Sequence, residues 1–70
     1  MTTIASPIAG LVAAIEAAEG TAIEAGAILI IVESMKMEIP VEAEITGTVR
    51  KLLVAVGDQI AEGQAVAEIE

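Results

Sequence analysis

The chain has no cysteine, no histidine and no aromatic residue, and only three of its 70 residues are cations. Each absence closes off a class of function. Without cysteine there is no disulfide and no thiolate metal site, and without histidine the commonest metal-binding side chain is missing as well. Lys36, Arg50 and Lys51 face eleven carboxylates, which leaves a net charge of −8. Nucleic-acid binding depends on neutralising phosphates and anionic membranes attract clustered cations, so neither partner suits this balance. The longest strongly apolar run, Ala27 to Val32, is far too short to span a bilayer. The start, Met1-Thr2-Thr3-Ile4, lacks the basic and apolar segments of a signal peptide. A cytoplasmic location is expected, with the acidity keeping a very apolar chain in solution.

What the chain does have is aliphatic: its core must come from Ile, Val, Leu, Ala and Met. A chain this short hides only about 60% of the surface it exposes when unfolded, so the core has to be used efficiently. No linker-like composition appears at either end. Residues 1–70 are therefore read as a single domain, free-standing or trimmed from a larger enzyme, and monomeric when isolated.

The chain also repeats itself. Ser6 to Glu33 aligns without a gap on Ala43 to Glu70 at a constant offset of 37, and eight of the 28 pairs are identical. Roughly three would be expected by chance, so the two halves read as a duplicated unit. Gly10, Gly20 and Gly26 map onto Gly47, Gly57 and Gly63, which accounts for every glycine. The hexapeptide Glu33-Ser34-Met35-Lys36-Met37-Glu38 begins on the last residue of the first copy and runs into the stretch, Ser34 to Glu42, that separates it from the second.

The copies also settle a conflict of propensities. Val12 to Glu19, rich in alanine and glutamate, favours helix, whereas its counterpart Val49 to Val56 is rich in β-branched residues and favours strand. Duplicated units share a fold, so Leu11 to Ala25 is assigned as strand. Further strands are expected at Thr2 to Ala5, Ala27 to Glu33, Met37 to Glu42 and Gln64 to Glu70. Val66 to Glu70 should alternate as a half-buried strand, and the uniformly apolar Ile28 to Val32 should be more deeply covered. Gly20 and Gly57 mark turns with left-handed backbone, while Gly10 and Gly47 suggest close backbone approach. Short strands and glycine turns at fixed intervals predict an all-β fold, a flattened barrel or two facing sheets with internal pseudo-two-fold symmetry. Its core is expected from Ile8, Val12, Ile15 and Ile23, their equivalents Ile45, Val49, Leu52 and Ile60, and from Ile30, Val32, Ile39, Val41, Val66 and Ile69. If Ser34 and Met37 close a two-residue hairpin, Met35 and Lys36 must both take positive φ, and Glu33 must face Glu38.

Glu33-Ser34-Met35-Lys36-Met37-Glu38 resembles the biotin attachment motif, a lysine between two methionines. The likeness extends through Ser6-Pro7-Ile8-Ala9-Gly10, Ile45-Thr46-Gly47-Thr48-Val49 and Val56-Gly57-Asp58-Gln59-Ile60, so nearly the whole chain is similar to biotinyl carrier domains of the biotin/lipoyl attachment family. That resemblance implies a flattened β-barrel of two four-stranded antiparallel sheets (the biotinyl/lipoyl-carrier hammerhead) with the lysine at a hairpin tip. It implies biotin in amide linkage on Lys36, attached by a biotin protein ligase, with Glu33, Ser34, Met35 and Met37 forming the recognised surroundings. A biotin carboxylase would then load carbon dioxide, and a carboxyltransferase, of acyl-CoA carboxylase type, would pass it to an acceptor. The chain would catalyse neither step. The rival class is a lipoyl carrier or a dual biotin/lipoyl attachment protein, which shares the fold but resembles Asp-Lys-Ala at the tip. The branch of the family with a protruding loop in its first half is not matched, since the gapless repeat leaves no room for one.

Overall fold

A computed structural model describes residues 2–70. Every strand of the first half has an equivalent 37 residues later. The strands are β1 (Thr2–Ala5), β2 (Gly10–Ile15), β3 (Ala22–Ile23), β4 (Ile28–Ser34), β5 (Met37–Glu42), β6 (Gly47–Leu52), β7 (Gln59–Ile60) and β8 (Ala65–Ile69). They form two four-stranded antiparallel sheets, ordered β1-β8-β6-β3 and β5-β4-β2-β7. Replacing each strand by its equivalent turns one order into the other, so the pseudo-two-fold exchanges the sheets. Both sheets draw strands from both halves. The described residues contain no helix, and thus none long and apolar enough to cross a membrane.

The halves are joined by reciprocal backbone hydrogen bonds. Gly20 N donates to Val49 O at 2.7 Å, and Gly57 N to Val12 O at 2.9 Å. Val49 N donates to Thr21 O and Val12 N to Asp58 O, both at 2.9 Å. These bonds extend the two-residue strands β3 and β7, which the sequence shows only as the lone apolar positions Ile23 and Ile60. Gly20 and Gly57 have φ of 85° and 96°, as their turn positions require.

The long strand expected over Leu11 to Ala25 is much shorter. It ends at Ile15, as its counterpart ends at Leu52. Beyond Ile15 the regular ladder stops, because Glu16 N and Ala17 N both donate to the single carbonyl of Leu29. Leu29 is itself the extra residue of a bulge opposite Glu42 and Val41, and Val66 is its equivalent opposite Ala5 and Ile4. A bulge lets two consecutive side chains share one face. Leu29 and Ile30 are both fully buried, as are Val66 and Ala67. The clean alternation expected in β8 is broken for this reason, and Ile28 in β4 is 42% exposed instead of covered.

The core lies between the sheets. Of the expected residues, Val12, Val49, Ile30, Val32, Val41, Ile60, Val66 and Ile69 are buried. Ile8, Ile15, Ile23, Ile45 and Leu52 are half-buried and pack against that core. Ile39 is also only half-buried, as is its equivalent Thr2, because both stand near the open end of an edge strand. Ile4, Ala17, Leu29, Ala43, Val54 and Ala67 complete the core. Ser6 is the buried polar residue, and its hydroxyl donates to Ile8 O at 2.6 Å.

Candidate functional site: a lysine on a two-residue turn

β4 and β5 form a hairpin whose last pair is Ser34 and Met37, leaving Met35 and Lys36 as the whole turn. Their φ values are 52° and 66°. Positive φ at both central residues characterises the type I′ turn, whose twist matches that of the flanking strands. Asn-Gly is the favoured pair for that geometry. Here a methionine and a lysine occupy it, at roughly 1–3 kcal/mol of strain each. Strain of this kind persists because the flanking ladder, Ser34 to Met37 through Ile31 to Pro40, holds the ends of the turn in register.

The side chains at the tip point away from the barrel. Met35 is 92% exposed and Met37 63%, so neither is a core methionine. Lys36 is exposed, and Ser34 at the base is half-buried. Glu33 and Glu38 are paired across the hairpin and are both exposed. The one ion pair among the described residues, Arg50 to Glu70 at 3.1 Å, lies in the other sheet, so the Lys36 ammonium is not tied to a carboxylate. No cavity opens among the described residues, so a group on that amine would lie outside the barrel. No cluster of acidic side chains there could hold a metal ion.

Strand β2 supports the hairpin from the side. Leu11 is in register with Glu33, and Gly10, one residue nearer the tip, lies against the same strand. A Cβ on Gly10 would stand 2.5 Å from Glu33 O and 2.7 Å from Val32 Cγ1. β7 pairs with the outer edge of β2 through Gly10–Ile60 and Leu11–Gln59. The structure thus gathers Glu33, Ser34, Met35, Lys36 and Met37 on one turn, and adds Gly10 as its lateral stop. The outer face of this sheet shows its character only when each residue is set beside its equivalent in the other copy.

A strained turn holding one amine clear of a small rigid scaffold defines a presenting domain, built to offer a side chain to another molecule. Residues 2–69 match the Biotin_lipoyl family, described as "Biotin-requiring enzyme". The chain belongs to that family. It is 51% identical over 51 residues to the biotinylated protein TB7.3 homolog of Mycobacterium leprae, covering 73% of this chain and 72% of that one. It is 36% identical over 67 residues to the biotin-dependent acyl-coenzyme A carboxylase alpha3 subunit of the same species, covering 96% of this chain. The urea carboxylase of Kluyveromyces lactis contains a region that superposes with a TM-score of 0.94 at 38% identity, covering 99% of this chain. The chain spans 11% of the length of that carboxylase subunit and 6% of the urea carboxylase chain.

Proposed function

We propose that residues 1–70 form a single carrier domain that holds biotin in amide linkage on Lys36 and moves activated carbon dioxide between a biotin carboxylase and a carboxyltransferase. The observation that carries this is the placement of Lys36 on a two-residue, positive-φ turn with no salt bridge. The residues present fit the group. An amide needs an unencumbered amine, and an arm meant to visit two active sites needs no binding pocket at its root. When bound, biotin supplies a ring nitrogen able to carry carbon dioxide.

The chain's own part is positioning. The hairpin fixes the root of the arm, and tethering then replaces free diffusion by an effective concentration on the order of millimolar. The domain itself catalyses neither the loading nor the transfer. Met35 and Met37 frame the amine with apolar surface that a biotin protein ligase can read, and Ser34 and Glu33 fix the strand end beneath it. The acceptor class is taken as an acyl-CoA, on the likeness to an acyl-coenzyme A carboxylase subunit, and the domain works in the cytoplasm beside the enzymes it serves.

Lys51 is an internal control, an exposed amine on β6 away from the tip. With biotin, ATP and a biotin ligase, the protein is expected to gain the mass of one biotin less one water. Lys36→Arg should abolish the gain and Lys51→Arg should leave it intact. A lipoyl ligase assayed in parallel should leave the chain unmodified. Lipoylation without biotinylation, or labelling that survives Lys36→Arg, would overturn the assignment.

A further inference from the structure

The duplication supplies an internal reference for the surface. Positions 37 residues apart share one backbone setting, so where one copy is polar and the other apolar, the fold does not itself require the apolar residue. Inner positions keep their character: Val12 and Val49, Val32 and Ile69, and Ile4 and Val41 are all buried. Outer positions do not. On the sheet β1-β8-β6-β3, Lys51 is in register with Glu68, and Arg50 is hydrogen-bonded to Glu70. The equivalents on the sheet that carries the tip are Ala14 in register with Ile31, and Ala13 and Glu33. Thr48 and Thr3 likewise become Leu11 and Pro40.

These residues form a continuous band. Ile31 is in register with Ala14 on one side and Pro40 on the other, and Leu11 stands beside Glu33 at the hairpin base. Pro40 is exposed, and Leu11, Ala14 and Ile31 are half-buried. Charge follows the same division. Strands β2, β4, β5 and β7 contain no cation, whereas Glu33, Glu38 and Glu42 lie exposed along β4 and β5. Arg50 and Lys51 are both on β6, in the other sheet. Lys36 on the turn is the one cation this sheet's hairpin carries, and none of these carboxylates is in an ion pair. An apolar band bounded by exposed carboxylates thus has the layout of an interface core with a charged rim.

Taking Lys36 as the acylated residue, as proposed above, we infer that the outer face of β5-β4-β2 is the surface on which the biotin ligase seats this domain. The matching surface is an apolar patch ringed by Lys and Arg side chains. The ligase is the partner that must bring the Lys36 amine itself to bonding distance, so it must hold the body of the domain. Enzymes acting later meet a group at the end of an arm, which loosens the constraint on the body. The carboxylate rim steers encounter, and the apolar band sets residence time.

The test grafts the opposite sheet's residues onto this face, as Leu11→Thr, Ala14→Lys and Ile31→Glu together. The same residue types already occupy the equivalent positions in the other sheet, and circular dichroism should show a fold like the parent's. If the triple variant fails to fold, Ile31→Gln alone serves. The control is Lys51→Ala with Glu68→Ala. Ligase binding is measured on a Lys36→Arg background, which cannot be acylated, and labelling kinetics on the Lys36 protein. The face variant should bind roughly tenfold or more weakly, with KM raised and kcat held, while the control binds as the parent does. Added salt should weaken the parent's binding. Unchanged binding by the face variant, an equal loss in the control, or no measurable binding by the parent would overturn the assignment of this face. Binding through the face without acylation of Lys36 would overturn the carrier assignment alone.

Discussion

Gly10 and Glu33 approach so closely that a Cβ on the glycine would lie 2.5 Å from the Glu33 carbonyl oxygen. Gly47 and Glu70 repeat the relationship, also at 2.5 Å, away from the hairpin. The obstructing atom is backbone in both cases, so a methyl group must displace a strand. Gly10→Ala and Gly47→Ala should each cost about 1–3 kcal/mol, as overpacking does, measured by urea denaturation. Only Gly10→Ala displaces the strand leading to Lys36, so only it should slow ligase labelling. Equal slowing by both variants would reduce Gly10 to a structural residue with no special bearing on the tip.

Met35 offers a way to relieve the turn. It is 92% exposed and holds φ of 52°, so a replacement there loses little packing. Asparagine tolerates left-handed backbone far better than methionine. Met35→Asn should therefore raise stability by about 0.5–1 kcal/mol, a part of the strain assigned to the position. An unchanged or lower melting temperature would show that the turn is not strained at this residue.

The repeat predicts like costs for truncating Ile23 and Ile60, but the structure separates them. Ile60 is 5% exposed, whereas Ile23 is only half-buried. Ile60→Ala should cost about 2–5 kcal/mol, a large share of what so small a core provides. Ile23→Ala should cost clearly less. Paired denaturation curves decide it, and equal midpoint shifts would contradict the difference in burial.

Pro40 protects an edge. β5 is the outer strand of its sheet, and the Ser34–Met37 closing pair makes Ile31–Pro40 a non-hydrogen-bonded pair. The nitrogen of residue 40 therefore faces the open side, where proline offers no donor. Pro40→Thr, which copies Thr3 of the equivalent edge strand, should leave the melting temperature little changed but promote concentration-dependent association. Sedimentation of the two proteins at matched concentrations measures this, and a strictly monomeric variant would exclude the role.

Much of the molecule could be read from its sequence because the sequence is written twice. The β-branched second copy overruled the helix-favouring Val12 to Glu19, and the structure agrees as far as Ile15, where β2 ends. Positive φ at Met35 and Lys36 was expected if Ser34 and Met37 closed a two-residue hairpin; they do, and both residues have it. The short strands β3 and β7 were not legible, because two residues carry no periodicity and are set in place by Val49 and Val12 across the barrel. The burial of both Leu29 and Ile30 was hidden for a related reason. A bulge is fixed by the partner strand's register, which local patterning does not contain. Nor could either copy by itself show that Leu11 and Ile31 are apolar on an outward face.

The interleaving of the halves has a kinetic consequence. Thr2 pairs with Ile69, so closing the sheet β1-β8-β6-β3 joins positions separated by almost the entire chain. The β4–β5 hairpin is local, but its lateral support continues through β2 to Gln59 and Ile60. Neither half contains a sheet it could complete alone. Topologies dominated by such distant pairings pass through their barrier slowly, on the order of milliseconds to seconds. Loop-closure entropy is met in full before most of the ladder forms. A truncated or partly synthesised chain can thus form the turn that bears Lys36 without the body that holds it steady.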